Sequence, residues 1–133
     1  MRRAAALLLP LLVTAGCAGS SSSQNTFVQP KPAAFKDGPC RAVADSVLSI
    51  GRDARKLGKG STPPGAVRDD LKSAQDAVAA VQPGLDPALV VPFSRLVIAV
   101  GVVRLRADSN TFDPSLATSL STAYDRVVSA CTA

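Results

Sequence analysis

Proline and glycine divide the chain after Lys36 into four segments, each with the three- and four-residue apolar spacing of a helix. The first opens at Asp37-Gly38-Pro39, where proline suits the first helical turn. Cys40, Val43, Ala44, Val47, Leu48, Ala54 and Leu57 form its apolar side, and Gly58 and Gly60 end it. The second runs from about Pro64 to Gln82 on Val67, Leu71, Ala74, Val78 and Val81, and Pro83-Gly84 stops it. The third opens at Asp86-Pro87 and continues to about Arg106. It is apolar on nearly every side, which predicts the most buried helix. The fourth opens at Asp113-Pro114, carries Leu116, Leu120, Ala123, Tyr124 and Val127, and ends at Cys131. Aspartate before proline at two openings reads as a repeated N-cap.

One segment fits a strand as well as a helix. Leu96 to Val103 is rich in β-branched residues. A lone strand would leave its backbone groups unpaired, and no second strand-like run exists, so helix is expected. The surrounding apolar run, Ala88 to Val103, is interrupted by Pro92 and Arg95 and falls short of the about 20 residues that a bilayer span needs. Pro92 is expected to kink this helix or to mark its effective start. Short connections make neighbouring helices antiparallel. The expected fold over residues 37–133 is therefore all-α, a small up-down-up-down four-helix bundle.

Composition removes whole classes of chemistry. Histidine is absent, and all ten acidic residues are aspartate. The commonest general base and the commonest metal ligand are thus missing together, and no Ser-His arrangement can form. Aromatic residues make up 4% of the chain, with no tryptophan, too few for a surface that stacks bases. Asp69-Asp70 is the one adjacent carboxylate pair. Consecutive helix residues diverge by about 100°, so the pair suits the dipole of its helix start better than a catalytic dyad. Ser94 and Arg95 beside Pro92 could line a pocket, or Arg95 could reach solvent from an apolar helix. No catalytic, cofactor-binding or metal-binding residue is expected, and neither an enzyme nor a nucleic-acid partner.

The N-terminus reads as an address. Met1-Arg2-Arg3 is basic, the run from Ala4 to Val13 is apolar but short, and Thr14, Ala15 and Gly16 are small. That order is the pattern of a secretory signal peptide, residues 1–16. Without Arg2 and Arg3, 13 basic residues face 10 acidic ones, a mild positive balance that leaves weak attraction to anionic headgroups open. Val13-Thr14-Ala15-Gly16-Cys17 resembles the lipobox of bacterial lipoproteins, with Thr14 where that family usually has leucine. The resemblance implies that the Cys17 sulfur receives a diacylglycerol and that cleavage falls just before it. Two acyl chains give stable attachment where one is marginal. Ala18 to Lys36, rich in serine and then proline, reads as a tether; with Cys17 it forms the segment 17–36.

Cys40 and Cys131 remain, an even pair in an exported chain. They stand at the start of the first helix and the end of the fourth, which an up-down-up-down bundle brings to one pole. A disulfide between them is expected, with two free thiols as the alternative. At the opposite pole, Arg52, Arg55, Lys56 and Lys59 share one face of the first helix, and Arg104 and Arg106 close the third. Cations at helix C-termini are expected for dipole reasons alone; the functional version is an anionic partner docking there.

Lipobox, tether and a small Ala/Val/Asp-rich body together resemble the small cell-envelope lipoproteins of high-GC Gram-positive bacteria. The resemblance implies a lipid-anchored protein on the extracytoplasmic face of the cell membrane. The expected function is a non-catalytic binding or scaffold module for an envelope protein. The alternative is a carrier holding a lipid or other hydrophobic ligand in the bundle core. A large internal cavity would favour the carrier, and an exposed apolar patch the scaffold.

Overall fold

The computed structural model describes residues 28–133. The expected signal peptide, the lipidated Cys17 and tether residues 18–27 lie outside the described residues. Within them the chain is 78% helical, without strands, so the β-branched run around Ile98 is helix. Five α-helices form: α1 (Pro39–Ala42), α2 (Ala44–Gly58), α3 (Arg68–Ala80), α4 (Pro87–Asp108) and α5 (Pro114–Thr132).

Local chemistry accounts for most boundaries. Gly38 precedes α1 at φ 91°, a conformation that favours glycine, and Pro39 opens the helix. The expected single first helix is broken at Val43 (φ −109°, ψ 7°), and the break leaves consecutive Val43 and Ala44 both buried. Pro64–Val67 forms a tight 3-10 turn rather than the first turn of α3. Asp113 caps α5 as expected, its Oδ1 accepting from the Ser115 amide at 2.8 Å, and Ser115, through its side chain first and its amide second, holds the carboxyl below the usual range. Asp86 occupies the equivalent place before α4 without a capping bond from its side chain. Pro92 stands inside α4, which nevertheless runs on to Asp108.

Each long helix buries one stripe. Val47, Leu48, Ile50, Ala54 and Leu57 of α2 meet Leu71, Ala74 and Val78 of α3, Phe93, Leu96, Val100 and Val103 of α4, and Leu120, Tyr124 and Val127 of α5 in one core. Helix α5 packs on α2 and α4, and α3 packs on the same two. Gly51 faces Tyr124 and Gly58 faces Ala117, so α2 and α5 run antiparallel. The Gln75 side-chain amide donates to the Val97 carbonyl (2.9 Å) and Arg68 meets Asp108 (3.1 Å), so α3 and α4 do too.

Cys40 and Cys131 form a disulfide, their Cα atoms 5.5 Å apart across a sequence separation of 91. The packed body begins before residue 37, where the tether was expected still to run. Phe35 is 1% exposed, the Lys36 amide donates to the Cys131 carbonyl (2.8 Å), and Arg41 donates to the carbonyls of Phe35 (2.7 and 3.0 Å) and Ala33 (3.0 Å). Burying one phenylalanine gives about 1.5–3 kcal/mol, enough to dock the short segment ahead of α1. Among the described residues, every residue of the core lies between Phe35 and Cys131.

Helix α4 overturns the expectation that it is the most buried. Phe93, Leu96, Val100 and Val103 face inward, but Val90, Val91, Ile98, Val102 and Leu105 are exposed. With α3 and α5 on its two flanks, no described helix covers its outer side. An all-round apolar sequence signals that a helix could be buried; it does not supply the neighbours. By length and composition alone, α4 is also the one described helix that could cross a membrane.

Candidate functional site

On the outer side of α4, Val91, Ile98 and Leu105 recur every seven residues, about two turns apart. They form a stripe about 21 Å long, with Val102 alongside; Ile98 is 65% exposed and Leu105 66%. Between this stripe and α5 lies an open groove of about 370 Å³. Its floor is Ile98, Ala99 and Ala123, its α5 wall carries Thr118, Ser119 and Thr122, and Arg95 and Arg126 stand at its sides. Ser119 and Thr122 donate back to the carbonyls of Ser115 (3.2 Å) and Thr118 (3.0 Å), which leaves the two guanidiniums as the strong donors.

The arginines are sorted sharply. Arg68 pairs with Asp69 and Asp108. Arg104 donates to Gln75, and Arg106 reaches Thr111 (3.5 Å). Arg95 and Arg126 have no hydrogen bond or ion pair among the described residues. Both readings of Arg95 therefore hold together: it is exposed, and it lines a groove. Helix α4 has no acidic residue before Asp108 at its C-terminus. The nearest carboxylate on α5, Asp125, lines an adjoining shallow depression with Pro92 and Arg126.

The basic cluster of α2 is not one free surface. Arg52 and Lys59 are exposed. Arg55 turns toward α5, into a notch with Gly51, Ser121, Tyr124 and Asp125. Burial pushes the Tyr124 phenol up, while Gln29 and Arg55 hold it down. Lys56 meets Asp53 at 3.3 Å. Asp69 pairs with its neighbour Arg68, and Asp70 lines a shallow α2/α3 depression with Asp45 and three serines, so the adjacent carboxylates serve separate surroundings. Among the described residues no group of three or more His, Cys, Asp or Glu could hold a metal ion.

Asp53 escaped the sequence reading, because a charged residue among Arg52, Arg55 and Lys56 looks like a solvated face. It is 2% exposed, and its buried Oδ2 has no hydrogen-bond partner among the described residues. Burial pushes its carboxyl above the usual value of 3.8, partly offset by Lys56. The folded state then holds this proton to higher pH than the unfolded chain does. Its contribution to stability is complete below pH 3.8 and is lost as pH rises through the folded value. Asp53→Asn is accordingly expected to melt above wild type at neutral pH, the gap closing as pH falls toward 3.8. Melting curves across that range check it; a variant less stable than wild type at neutral pH and level with it in acid would contradict the sign.

No protein family, curated protein or solved structure matches this chain. The chemistry of the α4 face stands on these residues alone.

Proposed function

We propose that the chain is a membrane-anchored lipoprotein of the extracytoplasmic face. Its body is a non-catalytic binding or scaffold module that works through the outer side of α4. The four long helices are read as an up-down-up-down four-helix bundle, supported by the two antiparallel pairs and by the disulfide joining its first and last elements. The observation that carries the reading is the α4 stripe that no described helix covers, with two arginines beside it that pair with no described residue. A solvated helix has no use for five large apolar side chains on its outer side, whereas an interface does.

The carrier alternative draws less support. Core positions such as Val100, Leu120 and Val127 are fully buried, and the grooves open at the surface rather than in the core. Anchoring is the part of the proposal most open to attack. Cys17→Ser is expected to leave the chain in the soluble fraction or unprocessed, because the acyl acceptor is gone. A variant processed and fractionating like wild type would contradict the anchor.

A further inference from the structure

We infer that the outer face of α4, with the α4/α5 groove, seats on the surface of an anionic phospholipid membrane. Arg95 and Arg126 take phosphate, and Val91, Ile98, Val102 and Leu105 enter the interfacial layer. The inference rests on the anchored reading for proximity, but its chemistry is independent of the anchor. An apolar stripe rimmed by two arginines that pair with no described residue, and whose groove is lined by no carboxylate, matches one kind of surface, anionic outside and apolar just beneath. The same face of a second copy fits poorly, since it brings two arginines against two arginines, with Asp125 at the groove's edge as the nearby α5 carboxylate. Burying an unpaired guanidinium against another protein would also cost desolvation, whereas arginine at a headgroup layer keeps its charge in a polar zone.

The tether permits the contact. Gln29 is held at the Leu48 carbonyl (2.6 Å), so the described chain begins on the α2 side, away from the outer side of α4. From Cys17 to Val28 is eleven residues, an extended reach of at most about 36–40 Å. Two helix layers measure about 20–24 Å, so the chain can pass around the body while Cys17 stays in the bilayer. An anchored body then meets lipid at high effective concentration, and a weak seat suffices.

The test uses residues 18–133 in vesicle co-sedimentation, a chain that keeps the whole core and lacks both the apolar leader and Cys17. Binding is expected to vesicles of equal parts phosphatidylglycerol and phosphatidylcholine, to weaken with salt, and to be minor on phosphatidylcholine alone. At about 1 kcal/mol for each basic residue near such a surface, Arg95→Gln/Arg126→Gln should bind about 30-fold more weakly. Arg52→Gln/Lys59→Gln removes the same charge from exposed positions elsewhere and should bind nearly as wild type. Melting curves confirm that each variant folds. Equal binding by both double variants, equal binding to neutral and anionic vesicles, or binding to polyglutamate in place of vesicles would overturn the inference, the last in favour of an acidic protein partner. Because Cys17 is absent from the assay, failure here leaves the anchor standing, and failure of the anchor leaves this result standing.

Discussion

Loss of the Cys40–Cys131 disulfide is expected to destabilise the body by about 4–5 kcal/mol, the entropic cost of a loop approaching 100 residues. The bond spans a sequence separation of 91, so nearly the whole domain lies inside the ring it closes. Its effect extends past the two sulfurs. Cys131 also offers its carbonyl to the Lys36 amide, and Phe35 beside it fills the same end of the core. A domain of this size has a total stability of about 5–15 kcal/mol, so the reduced form should sit close to its unfolding threshold. Denaturant titration of the oxidised protein beside Cys40→Ser/Cys131→Ser measures the difference. Coincident unfolding curves would show that the bond is a bystander, and two alkylatable thiols in the exported protein would deny that it forms.

A single methyl group should also be costly at Gly51. Alanine in a helix interior is ordinarily better than glycine by about 0.5–1 kcal/mol, so propensity alone predicts that Gly51→Ala stabilises. The packing predicts the reverse. A Cβ at that position would lie 2.5 Å from Tyr124 Cε2 and 2.6 Å from Cζ. Tyr124 is itself 2% exposed and has little room to retreat. Overpacking of this kind costs about 1–3 kcal/mol or more. Gly51→Ala should therefore melt below wild type. Adding Tyr124→Leu, which removes the ring, should make the pair strongly non-additive, with the alanine now neutral or favourable. An alanine variant more stable than wild type would show that α2 and α5 pack less tightly than described.

The helices were legible because two independent signals coincided: apolar spacing, and proline or glycine at each boundary. The disulfide was legible because the lipobox resemblance takes one of the three cysteines and the expected helix order brings the other two to one pole. What escaped notice depends on neighbours that are distant in sequence. The break at Val43 lets two consecutive residues reach the core, and no local pattern announces it. Phe35 stands among prolines and polar residues, and its burial depends on elements far along the chain, as the Lys36 amide bond to the Cys131 carbonyl shows. Asp53 sits among cations, and its burial depends on how α2 meets its neighbours. Helix α4 taught the converse: its residues are apolar all round, yet α3 and α5 can cover only part of it. The groove joining Arg95 to Arg126 pairs two helices, so neither segment alone could reveal it.

The proposed function begins from the chain's being held at a membrane, and the state of Cys17 decides that most directly. Mass spectrometry of the N-terminal peptide from membrane-extracted protein should find a chain that begins at Cys17 and carries a diacylglycerol-sized mass on it. An unmodified Cys17, with residues 1–16 still attached or with cleavage elsewhere, would contradict the account.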